Sequence, residues 1–321
     1  MNREMRIGLV VLVLVLLAGI GAPWLAPYDP IDQRDIAAGQ LRPPGTVLQA
    51  IELDHGRWLL ADRVERLDEG LRIERLGREE ILPAEEVLNL TEDGVADSQM
   101  FILGSDRFGR DVLSRLIWGA RISLLIATTS LSLSLVLGIL IGALAALGGG
   151  FLDTILMRFV DGVLALPWIL ILVTLAAIFP TDTMTLILIL GGTGWMSISR
   201  LVRGELLSLR ERGYIQAARG LGVGPVRIFL HHLLPNMLTP IAVAATLRVA
   251  SLILTEAALS FLGFGVRVPQ PSWGNMIADG NISFHTAWWL RVFPGLALAS
   301  TVVAVHLVSD GLRDVLDPRR R

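Results

Sequence analysis

The sequence predicts an all-α polytopic membrane protein carrying one small β-rich insert. Three observations support this. The first is composition: of 321 residues, 53% are apolar and only 18% charged, against about a quarter charged in an average soluble domain. The second is the clustering of charge. Between residues 25 and 118 lie 19 of the 30 acidic and 11 of the 28 basic groups, while the rest of the chain contains long charge-free windows. The third is that these windows reach the roughly 20 apolar residues needed to cross a hydrocarbon core of about 30 Å.

Six windows qualify. The first, 7–27, follows Arg3 and Arg6. It is long for the core of a cleaved leader and is followed by further spans, which favours an anchor. The second, 122–152, contains Gly138 and Gly142, a small-xxx-small face that allows another helix to approach closely. The third, 162–181, carries Pro167; the fourth is 183–199; the fifth, 237–264, is interrupted by Arg248 and Glu256; the sixth is 292–309. Arg3, Arg6, Arg158, Arg200, Arg203, Arg210, Arg212, Arg219, Arg227, Arg313 and Arg319 to Arg321 fall on one side. The positive-inside rule makes that side cytoplasmic, together with both termini.

Within the loop 29–117, residues 45–96 change character. TVLQAIEL, RWLLADRVERL, LRIERL and EEILPAEEV alternate apolar and polar residues between turn signals at Asp54-His55-Gly56, Asp68-Glu69-Gly70 and Gly77. This predicts a small antiparallel β unit outside the membrane, with a short amphipathic helix at 84–90 as the competing reading. The five-span remainder, 118–321, contains a polar stretch at 200–236 that is far longer than a minimal turn.

Several chemistries are excluded by residue type. The chain has no Cys, so thiolate nucleophiles and cysteine-based metal sites are absent. It has no Lys, and a phosphate loop of the G-x-x-x-x-G-K-[ST] type needs one, so the chain cannot supply an ATPase of that type by itself. His231 and His232 stand beside Leu-Leu-Pro without a nucleophile or metal-binding motif at workable spacing, which leaves a membrane hydrolase as a distant alternative. A secondary transporter is another, but the inverted repeats common in that class are not evident. The net charge of −2 gives no reason to expect nucleic acid.

In the polar stretch, Gln216-Ala217-Ala218 forms a short helix with little side-chain bulk, ended by Gly220, Gly222 and Gly224 before Pro225. Pro235 suits the first turn of the next helix. Spacing alone leaves two readings open, a knob for a groove on another protein or a solvated loop. The series resembles the EAA loop of bacterial ABC importer permeases, E-A-A-x-x-x-G-x9-I-x-L-P. Gln216, Ala217, Ala218, Gly222, Leu234 and Pro235 are in register; Gln216 replaces Glu, and His232 occupies the Ile position. A literal Glu256-Ala257-Ala258 has its glycine, Gly263, one place out of register and lies in an apolar window, so it is set aside.

Five further stretches, APYDP, GSDRFGRDVLSRLIWGARISL, LTEAALSFLGFG, PSWGNMIADG and SDGLRDVLDPR, resemble the C-type permease subunit of the dipeptide, oligopeptide and nickel importers. The resemblance implies a type I ABC importer permease fold in the bacterial inner membrane. It also implies a second, B-type permease, two ATPase subunits carrying ATP and Mg, and an extracytoplasmic binding protein that delivers di- or oligopeptides, with nickel or another small solute as the alternative cargo. No cofactor or metal is expected on this chain. Tyr214, Gln216, Ala217, Ala218, Arg219, Gly222, Leu234 and Pro235 are then expected to grip the ATPase. Arg248 and Glu256 either line the path of a zwitterionic peptide or pair with neighbouring helices. Asp106, Arg107, Arg110 and Asp111 are expected to receive the binding protein, and Trp273 and Trp288 to sit in an interfacial belt.

Overall fold

A computed structural model describes residues 3–67, 70–91, 94–95, 97–180, 182–283 and 285–316. The expected turn residues Asp68 and Glu69, the His55 side chain, Thr181 and Arg319 to Arg321 lie outside the described residues. In chain order the helices are α1 (Arg3–Ile20), α2 (Ala22–Leu25), α3 (Ile36–Gly39), α4 (Val112–Gly148), α5 (Gly150–Leu164), α6 (Trp168–Ile178) and α7 (Thr183–Arg210). They continue with α8 (Gly213–Gly220), α9 (Pro225–Ile228), α10 (Leu234–Phe261), α11 (Trp273–Ile282) and α12 (Trp289–Leu316). Eight strands occupy the insert: β1 (Thr46–Leu53), β2 (Arg57–Ala61), β3 (Arg63–Leu67), β4 (Gly70–Arg75), β5 (Arg78–Pro83), β6 (Leu90–Thr91), β7 (Gly94–Val95) and β8 (Asp97–Phe101).

Contacts divide the chain into two compact units. One comprises Met1–Val15, Ser123–Arg267 and Leu298–Arg321; the other comprises Leu16–Ile122 and Val268–Ala297.

The six expected spans fall on α1, α4, the pair α5–α6, α7, α10 and α12, most of whose residues belong to the first unit. By length and composition, four helices among the described residues qualify to cross a membrane: α4, α7, α12 and the run Pro225–Phe261 that ends in α10. The pair α5–α6 makes a fifth if taken as one span. Helix α1 is 18 residues long and carries Arg3, Glu4 and Arg6 near its start. Its Gly8 meets Ala304 and Leu307 of α12 so closely that an added Cβ would stand 2.7 Å from the Ala304 carbonyl oxygen.

Two expectations need correction. The third span is not one straight helix from 162 to 181, because α5 and α6 meet at 84° across a short break. Pro167 explains the break: it disfavours helical backbone at Leu166, lacks an N–H, and itself stands extended (φ −60°, ψ 112°) as the N-cap of α6. The stretch 200–236 is also not a loop for its whole length. Helix α7 continues to Arg210, and α8, α9 and a five-residue π-helical turn (Phe229–Leu233) fill most of the rest.

Helices α4 and α7 pack through the predicted glycine face. A Cβ on Gly138 would lie 2.6 Å from the Ile198 side chain, and one on Gly142 would lie 2.5 Å from the Ser199 carbonyl oxygen. The same region holds an apolar core of Ala143, Ala146, Ile198, Val202, Leu206, Ile215, Ile228, Leu233, Met237 and Ile241.

In the second unit, the alternating segments form antiparallel sheets of order β2-β1-β8 and β3-β4-β5, with a β6-β7 pair. The turn reading explains the registers: β1 pairs with β2 from Gln49↔Ala61 to Leu53↔Arg57, and β4 with β5 from Gly70↔Pro83 to Arg75↔Arg78. Of the competing amphipathic helix, only the 3-10 turn Ala84–Glu86 is present. Alternation buries Ile51, Ala61, Leu71 and Ile73 in one cluster and Leu48, Ala50, Leu60 and Phe101 in another. Asp35, the N-cap of α3, ties these parts together. Its carboxylate accepts Leu60 N–H at 3.0 Å and a two-pronged contact from Arg75 at 2.8 and 3.0 Å.

Candidate coupling surface and intramembrane charges

Helix α8 carries the EAA-like series. It is held at one point, Ile215, which is fully buried in the core shared with α4, α7, α9 and α10. Around that anchor, Tyr214, Gln216, Ala217 and Arg219 are exposed and Ala218 is half-buried. The Gln216 amide donates to the Glu211 carbonyl at 3.3 Å, so the Glu-to-Gln replacement leaves a polar group that stays engaged near the helix start. The exit from α8 runs through Gly222 at φ +78°, a left-handed conformation that strongly favours glycine. Leu221, beside it, is 84% exposed. An open cavity of about 470 Å³ adjoins this turn, lined in part by Arg210, Arg219, Gly222 and Pro225.

Downstream, Pro235 lies in the first turn of α10, as expected. The π-helical turn sends Leu233 into the core, fully buried, while His232, at the motif's Ile position, is half-buried. At this turn Leu233, the neighbouring position, supplies the buried apolar side chain.

Arg248 and Glu256 have different surroundings. Glu256 is fully buried; Ser123 of α4 donates to it at 3.0 Å and Ser260, one turn on, at 2.7 Å. Arg248 is half-buried, with its guanidinium 5.3 Å from the Trp168 ring centre. Of the two alternatives, the Glu256 geometry is that of a group engaged within its own chain.

The four polar residues ahead of α4 must be reassigned. Asp106, Arg110 and Asp111 are at most 2% exposed, which removes them from any docking surface; Arg107 alone keeps an open edge. Arg110 donates to Asp106 at 2.6 Å, and its guanidinium also approaches Asp279 of α11 at 3.6 Å. Arg107 reaches Asp279 at 3.2 Å, and Arg115 approaches Asp106 at 3.5 Å. Phe108 lies between Arg107 and Arg110, 4.6 and 4.7 Å from their guanidinium carbons. These residues form an internal ionic cluster in which Arg107 and Asp279 meet although 172 positions apart. The spacing of Asp106 and Arg110, one helical turn apart, was the available sequence signal for pairing. Burial pushes the Asp111 carboxyl above the usual carboxylate range despite two hydrogen bonds from Ser114. Asp279 is likewise raised by burial, with the nearby arginines opposing. Trp273 is also buried rather than interfacial, its ring N–H donating to the Leu116 carbonyl at 3.1 Å, whereas Trp288 is 53% exposed.

Long apolar helices, a broken span and a short exposed helix between α7 and α10 are the architecture of a polytopic membrane protein. Residues 138–321 match the binding-protein-dependent transport system inner membrane component family, and residues 2–44 match the N-terminal transmembrane domain of oligopeptide transport permease C. The chain belongs to the binding-protein-dependent transport system inner membrane components. It is 36% identical over 319 residues to the di/tripeptide transport system permease protein DppC of Pseudomonas aeruginosa strain UCBPP-PA14, covering 99% of this chain and 89% of the relative. A putative peptide permease protein of Brucella ovis is 44% identical over 218 residues, covering 67% of this chain and 72% of that one. Its fold is that of the type I ABC importer permeases. A chain of the inward-facing MetNI methionine ABC transporter superposes with a TM-score of 0.53 at 20% identity, covering 64% of this chain and 98% of that chain.

Proposed function

We propose that this chain is one of two permease subunits lining the path of an ATP-driven importer of di- and oligopeptides. A B-type permease completes the path, two ATPase subunits hold ATP and Mg, and an extracytoplasmic binding protein delivers the cargo. The arginine distribution supports placing both termini and α8 on the cytoplasmic side and the β-rich insert outside.

One observation carries the coupling assignment: α8 is anchored by a single buried residue and otherwise offers a small, exposed face. Ala217 and Ala218 allow close approach, Tyr214, Gln216 and Arg219 supply contacts, and Gly222 sets the exit turn. Leu234 and Pro235 start the helix that carries motion into the membrane. A push on α8 reaches α7 and α10 because Ile215 shares one packed core with Val202, Leu206, Leu233 and Met237. Close-packed cores transmit displacement instead of absorbing it. ATPase closure then favours whichever permease state it grips more tightly.

The test is co-purification with the ATPase subunits and peptide uptake in cells. Gly222→Asp, which strains a left-handed turn, and Ala218→Trp, which blocks close approach, are expected to abolish both while the chain still inserts in the membrane. Normal uptake by either variant overturns the assignment.

A further inference from the structure

We infer that the Arg248 guanidinium, backed by the Trp168 ring, is a carboxylate-binding station within the membrane interior, and that it takes the carboxylate of the peptide cargo. The inference rests on the peptide-importer reading above and adds to it the chemical group that is recognised and the residue that recognises it.

Arg248 stands near the middle of α10, about 21 Å along the axis from Leu234. A charge at that depth is costly and normally faces a partner or an aqueous cavity. No carboxylate among the described residues forms an ion pair with it. Its Nε is buried without a hydrogen-bond partner. What it does have is Trp168, placed immediately after the α5–α6 break, with the ring centre 5.3 Å from the guanidinium carbon. Cation–π contact uses the guanidinium face, and the N–H edges remain available for a two-pronged contact with a carboxylate. Gly194 of α7 also allows close approach: a Cβ there would stand 3.1 Å from Arg248 Nη2 and 2.3 Å from Ser134 Oγ. A side chain at that position would crowd the guanidinium.

The asymmetry with Glu256 gives the station its sign. Glu256, eight residues further along α10, is fully buried and accepts hydrogen bonds from Ser123 and Ser260. It offers nothing to the amino end of a peptide, whereas Arg248 offers a desolvated cation to the acidic end. The competing partner is a carboxylate of the second permease, and the experiment separates the two.

The complete transporter, with both permeases, both ATPases and the binding protein, is reconstituted in proteoliposomes. ATP-dependent uptake is compared for a peptide and its C-terminal amide, at concentrations that load the binding protein equally. Wild type is expected to favour the free carboxylate. Arg248→Gln is expected to lower the carboxylate-to-amide uptake ratio about tenfold, the scale of one charge-assisted contact, while Arg248→Lys retains the preference. An unchanged ratio in the assembled Arg248→Gln complex overturns the inference. So does loss of the second permease from that complex on purification, which would instead place Arg248 in a pair between subunits. A wild-type complex that imports neither peptide fails the importer reading itself, before any variant is compared.

Discussion

At the scale of single residues, burial rather than charge decides what an ionisable group does. Asp111 shows this most directly. Its carboxyl accepts from the Ser114 backbone and hydroxyl, both at 2.7 Å, yet Oδ1 is buried without a partner and burial dominates, raising the carboxyl's affinity for protons. A carboxyl whose folded value is raised binds protons more readily in the folded chain than in the unfolded one. Its ionisation therefore costs stability at neutral pH, and the cost is relieved as pH falls through the raised range. Asp111→Asn keeps an acceptor for Ser114 N–H and removes the charge. Thermal unfolding in detergent should show the variant at least as stable as wild type at pH 7, with a smaller gain on acidification; a loss of more than about 1 kcal/mol at pH 7 would contradict this. The sequence showed Asp106, Arg107, Arg110 and Asp111 as a polar run ahead of a span, which suggested a surface. Arg107 and Arg110 are engaged by Asp279, far along the chain and beyond the reach of local pattern.

At the scale of elements, glycines and prolines placed the helices and determined how they pack. Gly142 allows the Ser199 backbone so close that any Cβ would clash at 2.5 Å, and backbone has little room to yield. Gly142→Val should destabilise the α4–α7 contact by about 1–3 kcal/mol, read as a lower unfolding temperature in detergent. Gly192, on the same helix as the contact but with open space around it, serves as the control and should tolerate Ala with little change. The small-xxx-small spacing was legible in the sequence because it follows helical periodicity; the identity of the partner helix was not. Pro167 was visible inside the third window, but the 84° bend between α5 and α6 was not. Apolar content within 162–181 says nothing about direction. Within 200–236 the short helix around Gln216-Ala217-Ala218 was legible from its small residues and its glycine exit, whereas the extension of α7 to Arg210, α9 and the π-helical turn were not.

At the scale of the whole molecule, the chain is a conduit that performs no chemistry of its own under the reading proposed above. Proteoliposomes containing this chain alone should accumulate no peptide with or without ATP, whereas the complete complex should accumulate it only with ATP. Uptake by the isolated chain would return secondary transport to consideration.

The sequence by itself determined the helical membrane class, the β-rich insert and the place of the EAA-like series, since each is written in local composition, in periods of two or 3.6 residues, or in a motif a few turns long. The tertiary structure alone decided which charges are spent internally and which remain open. Glu256 is engaged by Ser123, 133 residues away, and Arg107 by Asp279, 172 residues away. Arg248 has no ion-pair partner among the described residues and stands over the Trp168 ring. Whether a charge is satisfied depends on partners that folding brings together from distant parts of the chain, and no local window contains both members of such a pair.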